Sequence, residues 1–314
     1  MRQSARRATV LAPTHRRHTQ RGRSDSRHRP ELASCLTRRS KVRRGCARHR
    51  CCRRVLILLP PSEGKAVGGA GPPVDVASLS WPHLMTHRQK VLTALVSICR
   101  RSPAKARTLL GLSEALDSDR AANAAADTSP TMPAGHRYTG VLHDALGYPT
   151  LPATARRRAD SSLVVFSGLW GAVRPVDQLP AYRIGIGTNL PRIGPLPTYW
   201  RGALYDALDA EVAESGALDL RSSGYALMYK PSPEAARNVV IAAITGPDGK
   251  RSASSYQSKV AKGRLVRALL QLPKPKAADI ATAAESIGLT AAEGANGLVL
   301  RAPAGWGLIN PPKG

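Results

Sequence analysis

The sequence predicts a mixed α/β fold, a single compact domain in which a central mixed sheet is surrounded by helices. Three observations lead to this prediction. Continuous apolar runs of strand length occur at 55–59 and 161–168, as expected of buried central strands. Longer segments, such as 197–215, place apolar residues at helical spacing. Strands and helices follow one another without strict alternation, which favours an α/β or α+β domain.

The elements are predicted in chain order from these periodicities and from residues that begin or end helices. Up to residue 148 they are a strand over 55–59, helices over 87–100 and 102–111, a short helix begun by Ser113, and helices over 118–126 and 137–148. Beyond residue 160 they are strands over 161–168, 218–222, 238–245 and 297–302, and helices over 197–215, 255–272 and 276–288. Ser102 and Pro103 are typical of an N-cap and a first helical residue.

The turn Leu110-Gly111-Leu112 separates two of these predicted helices. An apolar-Gly-apolar turn between short helices is the pattern of a helix-hairpin-helix element, which presents backbone N–H groups to a DNA phosphate. Short helical hairpins are also common in proteins that do not bind DNA. We therefore predict a helix-hairpin-helix-like element here.

Charge divides the chain near residue 54. The formal net charge is +26, and residues 1–54 contain 18 Lys and Arg against two acidic residues, whereas residues 55–314 contain 29 against 19. We predict a disordered Arg-rich extension over 1–54 and a folded domain over 55–314. Three interpretations of the extension stay open: a nucleic-acid-binding arm, a transit peptide, or translation from a start codon upstream of the true one at Val55.

Composition excludes several classes of protein. No apolar run of 18 residues occurs, so no membrane span is predicted. Residues 55–314 contain one cysteine, Cys99, which fits a reducing cytoplasm. The histidines of this part show no metal-ligand spacing, and the cysteines near His49 lack the paired CxxC spacing of a zinc site. We therefore expect no cofactor and no metal.

The first candidate site is the loop after the first strand, PPSEGK, which ends at Lys65. A nucleotide-binding phosphate loop requires GxxxxGK[ST]. Here Leu59 occupies the first glycine position and Ala66 the last position, so that motif is excluded. What remains is a lysine among small polar residues at the carboxyl end of a strand, where ligands bind in open sheets. The alternative is a solvated turn.

The second candidate is the segment FSGLWGAVRPVDQLPAYR (166–183). Arg174 and Arg183 have the aromatic residues Trp170 and Tyr182 on their flanks, which suits phosphate binding combined with base stacking. The alternative is a surface turn in which Arg174 pairs with Asp177 and the tryptophan lies in the core.

The third candidate is the basic face of the predicted helix 255–272. Lys259 and Lys262 lie three residues apart and so share one face, while apolar residues occupy the other. Such a face suits a track of phosphates, but most runs of charge are solvated surfaces.

Together these segments resemble the YaaA-type peroxide-stress protein family over essentially all of residues 55–314. The resemblance is carried by LILLPPSEGK (56–65), YTG (138–140), SGLWGAVRPVDQLPAYR (167–183), the Tyr199-Trp200 helix start and KVAKG (259–263). It implies a cytoplasmic protein that limits unincorporated iron, and hence oxidative damage to DNA, under peroxide stress. It also implies DNA binding in a positively charged cleft, whose lining would be Lys65, Arg174, Tyr182, Arg183, Trp200, Lys259 and Lys262.

Two functions follow from this reasoning. The first is a monomeric DNA-binding stress protein without catalysis, whose partner is double-stranded or branched DNA. The second is an enzyme that processes nucleic acid or nucleotides, because a lysine beside other cations has a lowered pKa and can act as a Schiff-base nucleophile. Lys65 or Lys259 would carry that role. Direct iron sequestration is not favoured, since no cluster of residues has the spacing of iron ligands.

Overall fold

In the computed structural model, which describes residues 55–248, 253–294 and 297–306, seven strands form the central sheet. The strands of the described residues are β1 (Leu56–Leu59), β2 (Met132–Pro133), β3 (Leu163–Ser167), β4 (Gly171–Val173), β5 (Gln178–Leu179), β6 (Asn189–Leu190), β7 (Gly194–Pro195), β8 (Ala217–Asp219), β9 (Val239–Thr245), β10 (Thr290–Gly294) and β11 (Gly297–Arg301). The order in the central sheet is β10-β11-β9-β8-β1-β3-β4. The strands from β11 to β3 are parallel, and the outer strands β10 and β4 are antiparallel to their neighbours. The predicted mixed α/β fold with a central mixed sheet is confirmed.

Helices surround this sheet, as predicted. Those of the described residues are α1 (Met85–Arg101), α2 (Pro103–Leu110), α3 (Asp117–Ala124), α4 (Ala134–Arg137), α5 (Val141–Leu146), α6 (Ala153–Ser162), α7 (Leu196–Ser215), α8 (Ser223–Ala226), α9 (Pro233–Ala236), α10 (Ser255–Gln271) and α11 (Ile280–Ser286). Single turns of 3₁₀ helix occur at Pro82–Leu84, Glu114–Leu116, Tyr148–Thr150 and Ala277–Asp279. Within the described ranges, no helix has the length and apolar character needed to span a bilayer.

The centre of the sheet fixes where a site can form. Every residue of β1 and β3 is buried, as expected of central parallel strands covered on both faces. Leu58 pairs with Val164 of β3 and with Asp219 of β8. The three strands therefore end at the same edge of the sheet, which we call the carboxyl edge.

Two tryptophans occupy the core beside the sheet. Trp200, on α7, is fully buried, and its Nε1 donates a hydrogen bond to the Gly168 carbonyl at 2.9 Å. Gly171 has a φ of 74°, and a Cβ at this position would lie 2.8 Å from the Trp200 ring. Both the backbone conformation and the space therefore require glycine here. The SGLWG segment thus builds core packing, with Trp170 also fully buried.

The prediction of one helix over 137–148 is wrong. α4 ends at Arg137, the chain is extended at Tyr138, and α5 begins only at Val141. Tyr138 forms an isolated antiparallel bridge with Lys65, and Gly140 has a φ of 96°. Pairing with a distant segment therefore overrides the local helical pattern. It also brings the YTG segment to the loop that follows β1.

Two other predicted elements are shorter than expected. The strand predicted over 218–222 ends at Asp219, because Arg221 turns back and its guanidinium binds the Asp219 carboxylate at 2.7 and 3.0 Å. The helix predicted over 276–288 consists of a 3₁₀ turn followed by α11. The division of the chain after residue 54 stays a prediction, because 1–54 lies outside the described residues.

Candidate functional site at the carboxyl edge

The loop after β1 folds around its own lysine. Lys65 Nζ donates hydrogen bonds to the carbonyl oxygens of Ser62 at 2.6 Å and Glu63 at 3.2 Å. Ser62 Oγ donates to the Gly64 carbonyl at 2.6 Å. The amine is therefore held at the carboxyl edge by the three residues that precede it, and does not extend into solvent.

Two tyrosine rings form the floor beneath this amine. Lys65 Nζ lies 4.4 Å from the centre of the Tyr182 ring and 5.4 Å from that of Tyr138. A cation over an aromatic face is attracted by the ring quadrupole. The bridge between Lys65 and Tyr138 fixes this approach through the backbone. Three segments that are distant in sequence therefore meet at one place. They are the loop after β1, the YTG segment and the end of the 166–183 block.

A chain of three hydroxyl groups lies under the rings. Tyr182 Oη is 2.8 Å from Tyr138 Oη and 2.8 Å from Ser167 Oγ. Ser167, the last residue of β3, accepts hydrogen bonds from the backbone N–H groups of Leu169 at 3.2 Å and Trp170 at 3.1 Å. Tyr138 and Tyr182 are 4% and 2% exposed. We call Ser167, Tyr182 and Tyr138 the hydroxyl triad.

Arg183 links the lysine loop to α3. Its guanidinium lies 3.0 Å from the Glu63 carboxylate and 3.2 Å from that of Asp119. The side-chain amide of Asn123 binds both the N–H and the carbonyl of Arg183, at 2.8 and 2.7 Å. Arg183 is thus fixed beside the amine with its charge shared between two carboxylates.

The surroundings of Lys65 favour its neutral form. Burial, and secondarily the positive charge of Arg183, lower the pKa of Lys65 to about 7. Burial also raises the pKa of Tyr182 to about 12, so this phenol keeps its proton at neutral pH. Burial lowers the pKa of His143 to about 4. His143 is therefore neutral, and its Nε2, 3.3 Å from the Pro60 carbonyl, carries the proton that this carbonyl accepts.

Lys262 reaches the same edge from α10. Its Nζ donates to the carbonyl of Leu220, the residue that follows β8, at 2.9 Å. Burial lowers its pKa, and the Asp219 carboxylate acts in the opposite direction. Lys259, one turn earlier on α10, is exposed. The structure thus brings Lys262 of the KVAKG segment to the end of β8, and contact of Lys259 with DNA stays a prediction.

Two of the seven predicted residues lie elsewhere. Arg174 follows β4, which runs back along β3, so it lies at the opposite end of that strand. Its guanidinium binds the Ser161 carbonyl at 2.7 Å and the Glu211 carboxylate at 2.6 Å. Trp200 is enclosed in the core. The structure does not bring either residue to Lys65, and contact of either with DNA stays a prediction.

The segment predicted to form a helix-hairpin-helix-like element contains α2, the 3₁₀ turn Glu114–Leu116 and α3, and its assignment to that motif stays a prediction. Just after α2, however, the backbone N–H of Gly111 donates to the Thr108 carbonyl at 3.3 Å, and that of Leu112 to the Arg107 carbonyl at 2.9 Å. These N–H groups already have acceptors inside the hairpin. Its role in binding DNA stays a prediction.

Several residues of the site had no role assigned from the sequence: Glu63, Asp119, Tyr138, Ser167 and Asn123. Tyr138 and Ser167 lie in segments already singled out, YTG and SGLWG, and Ser167 ends a predicted strand. The position of Ser167 at the end of a predicted strand was the sequence signal from which a role in the site could have been predicted. The carboxylates that pair with Arg183 come from separate elements, and no spacing in the sequence relates them.

No group of three or more metal-ligating side chains is assembled within the described part of the chain. A cavity of about 10 Å³ lies beside Tyr138 and His143, enough for at most one water molecule. The space available to a larger ligand is therefore on the open side of the Lys65 loop, where the side chain of Glu63 is 88% exposed.

Comparison with known proteins identifies relatives of this chain. A family model described as "Peroxide stress protein YaaA" matches residues 55–293. This range includes every member of the hydroxyl triad, the Lys65 loop and both lysines of α10.

Three similar proteins are each named UPF0246 protein. One from Streptomyces coelicolor is 46% identical over 217 residues, which are 69% of this chain and 83% of the relative. One from Corynebacterium efficiens is 41% identical over 242 residues, 75% of this chain and 94% of the relative. A more distant one from Idiomarina loihiensis is 28% identical over 233 residues, 71% and 87% of the two chains.

Proposed function

Because this chain belongs to the family of YaaA peroxide stress proteins, we propose that it acts in the cytoplasm under peroxide stress by binding DNA. DNA bound at the carboxyl edge would be protected from damage caused by free intracellular iron. The observation that supports this proposal is the group of cations at that edge: Lys65, Arg183, Lys262 and, on the exposed face of α10, Lys259. Residues 55–314 carry an excess of ten basic residues.

The four cations are not equivalent as phosphate ligands. Arg183 is already paired with two carboxylates, and Lys65 donates to two carbonyl oxygens, so a phosphate would have to compete with both sets of partners. Lys259 is exposed, and Lys262 is three residues away on the same helix. These two lysines are the cations from which a phosphate would displace the fewest existing contacts.

Lys259→Ala combined with Lys262→Ala is expected to weaken binding to duplex DNA and to flatten its dependence on salt. Each phosphate neutralised contributes a log–log slope of roughly −0.9, so losing two contacts should reduce the slope by about 2. Affinity is measured at several salt concentrations with the full chain, because comparing variants cancels the contribution of residues 1–54.

Lys274→Ala is the matched control for this measurement. Lys274 is an exposed lysine just beyond α10, next to Pro275, whose carbonyl accepts from the N–H of Val55 at the start of β1. It therefore lies at the opposite edge of the sheet and should leave the slope unchanged. Equal slopes for the wild type and the double variant would contradict DNA binding at the carboxyl edge.

A second candidate function is favoured by the state of Lys65, which is held over two tyrosine rings with its pKa lowered to about 7. A neutral lysine amine is a nucleophile for carbonyl carbon. The ring-opened sugar at an abasic site of DNA exposes an aldehyde. The Lys65 nitrogen would form a C–N bond with that carbon, and loss of water would give an imine.

Borohydride reduces such an imine to a stable secondary amine, so the wild-type chain is expected to become covalently joined to abasic DNA when borohydride is present. Lys65→Met should abolish the adduct, because the nucleophile is gone, whereas Lys274→Met, which changes an exposed lysine at the opposite edge of the sheet, should retain it. The adduct is followed by gel electrophoresis and assigned by mass spectrometry of the Lys65 peptide. An unchanged yield from Lys65→Met, or no adduct with any aldehyde-bearing DNA, would exclude this function.

A further inference from the structure

The turn between β6 and β7 places an arginine in a backbone conformation that favours glycine. The Ile193 N–H donates to the Leu190 carbonyl at 3.1 Å, which closes a four-residue turn with Pro191 and Arg192 at its centre. A proline followed by a residue of positive φ is the order of a type II turn. Arg192 is that second residue, with a φ of 65°. Glycine or asparagine usually occupies this position, because other side chains are strained there.

Nothing in the described part of the chain compensates for this strain through the arginine side chain. Arg192 is exposed, and among the described residues none forms a hydrogen bond or an ion pair with its guanidinium. Arg183, in contrast, is paired with two carboxylates. Strained backbone conformations cluster where proteins bind ligands. The strain at Arg192 therefore points to a contact outside the chain.

The rest of the β6–β7 hairpin, residues 189–195, is well anchored. Pro191 and Pro195 restrict the backbone on both sides of the arginine. Leu190 is buried, and Ile193 packs against the hydrophobic core. The apolar side chains thus hold the hairpin on the domain while Arg192 stays outside. A cation on such a preorganised turn loses little conformational freedom when it binds a ligand.

The β6–β7 hairpin lies at the carboxyl edge. α7 begins directly after it at Leu196 and ends at Ser215, and β8 begins at Ala217. α7 therefore runs from the carboxyl edge to the edge at which β8 begins. At the start of α7, the Leu196 side chain lies 3.3 Å from the position that a Cβ of Gly168 would take. Gly168 directly follows β3, so the base of the hairpin is beside the end of β3.

The surface between this hairpin and the Lys65 loop is open. Residues 184–188 connect Arg183 to the hairpin, and this segment contains Gly185 and Gly187. Both glycines are exposed, and a Cβ at either position would meet no heavy atom within 4 Å. Neither has a positive φ, so the local backbone does not require glycine. Their effect is to leave this surface without protruding side chains, so that the backbone of a ligand can approach closely.

Cations therefore flank the ends of three adjacent strands. Lys262 binds at the end of β8, Lys65 follows β1, and Arg192 is carried by the hairpin beside β3. Adjacent strands lie about 4.8 Å apart, so β8 and β3 are separated by about 10 Å. That separation is close to the width of the major groove, about 12 Å, across which the two phosphate backbones of a duplex face each other. One duplex can therefore reach cations on both sides of the carboxyl edge.

We infer that Arg192 contacts a phosphate of DNA bound at the carboxyl edge, so that the β6–β7 hairpin and α10 hold one duplex from two sides. The inference rests on the DNA binding proposed above and adds to it a second contact surface. Arginine suits this contact, because its planar guanidinium can donate two parallel hydrogen bonds to one phosphate.

Arg192→Asn tests the contact, because asparagine tolerates a positive φ and carries no charge. We expect the log–log dependence of affinity for duplex DNA on salt to flatten by about 0.9, the contribution of one phosphate. Arg192→Lys keeps the charge and should retain most of the wild-type slope. Affinity is measured with the full chain at several salt concentrations, as for the α10 variants.

Arg237→Asn is the matched control. Arg237 is exposed and lies just before β9, which begins at the edge of the sheet opposite to the carboxyl edge. The same substitution there also removes one positive charge, and it should leave the slope unchanged. A slope that flattens equally in Arg192→Asn and Arg237→Asn would mean that only the net charge matters, and would overturn the inference.

Urea denaturation separates a DNA contact from a role in folding. Arg192→Asn should unfold at the same urea concentration as the wild type or at a higher one, because asparagine relieves the strained conformation. A lower midpoint together with weaker DNA binding would mean that Arg192 supports the fold, and the inference would fail.

The remaining outcomes distinguish this inference from the proposed function. If the wild type does not bind duplex DNA, both fail. If Lys259→Ala with Lys262→Ala flattens the slope and Arg192→Asn does not, the inference fails and DNA binding at the carboxyl edge stands. Equal flattening on A·T-rich and G·C-rich duplexes of one length supports a phosphate contact. A loss confined to the A·T-rich duplex would place Arg192 in the minor groove and overturn the phosphate assignment.

Discussion

Gly263→Ala is expected to lower the free energy of unfolding by about 3 kcal/mol, the upper end of the usual cost of overpacking. Gly263 lies in α10, where this helix crosses α5. A Cβ at Gly263 would fall far inside the contact distance of the Leu142 carbonyl oxygen, 2.7 Å from Ala145 Cβ and 2.9 Å from Leu146 N. Two of these atoms belong to the backbone, so no side-chain rotation relieves the clash and the helices must separate.

Gly202→Ala is the control, and we expect it to change the free energy of unfolding in the opposite direction. Gly202 lies in α7, it is exposed, and a Cβ there would meet no heavy atom within 4 Å. Alanine should therefore raise stability by about 0.5–1 kcal/mol through helix propensity alone. Urea denaturation of the wild type, Gly263→Ala and Gly202→Ala measures both changes in stability. Each appears as a shift in the urea concentration at the unfolding midpoint, with the dependence of the unfolding free energy on urea unchanged. A Gly263→Ala protein as stable as the wild type would contradict the close helix crossing.

The crossing of α10 and α5 also matters for the site. α5 begins three residues after Tyr138, and α10 carries Lys262, whose side-chain nitrogen binds at the end of β8. Separating the two helices would move the end of the hydroxyl triad relative to the lysines. The KVAKG segment therefore combines two physical requirements, a cation at the carboxyl edge and a glycine that allows close helix packing.

The fold was largely predictable because its main elements have simple periodicities. β1 and β3 are continuous buried runs, and α1, α7 and α10 each carry an apolar stripe, so their positions follow from the sequence. The family was also predicted correctly from short segments. α6 and β10 were missed, because α6 buries mainly Ala155 and Ala159 and β10 is mostly exposed, so neither has a strong apolar pattern.

The site was less predictable, because its geometry depends on pairing between distant segments. The sequence placed Lys65, Tyr182 and Arg183 as cleft residues suited to phosphate. It gave no sign that Arg183 pairs with Glu63 and Asp119, or that Ser167 and Tyr138 enclose the Tyr182 hydroxyl. Those contacts arise because Tyr138 leaves the helical pattern to pair with Lys65. A local reading of 137–148 as one helix conceals that pairing.

Lys65→Met is expected to stabilise the protein by about 3 kcal/mol at pH 6 and to remove most of the rise in stability between pH 7 and 10. The pKa of Lys65 falls from 10.5 to about 7 on folding, mainly through burial. Each unit of pKa shift corresponds to about 1.4 kcal/mol of folding free energy. The gain expected for the variant is smaller than the whole shift implies, because Lys65 is partly in contact with solvent and because methionine loses the two hydrogen bonds of the amine. Methionine has a similar length and no charge to desolvate.

The direction in which stability changes with pH follows from proton binding by Lys65. Between pH 7 and 10.5 the unfolded chain keeps the Lys65 proton and the folded chain has released it, so the free energy of unfolding rises with pH. Below pH 7 both states are protonated, and the folded state bears the full cost of the buried ammonium. The difference in stability between wild type and Lys65→Met should therefore be greatest at pH 6 and should shrink as the pH rises.

Urea denaturation of both proteins from pH 6 to 9.5 measures this difference, and other titrating groups cancel in the comparison. Lys259→Met, which removes an exposed lysine, controls for the loss of one positive charge. A difference that is constant over the whole range would mean that Lys65 folds with its ammonium intact. Because folding releases the same proton that blocks the amine lone pair, the pH at which the difference begins to shrink marks where Lys65 becomes a nucleophile, and the yield of trapped adduct should rise over the same interval.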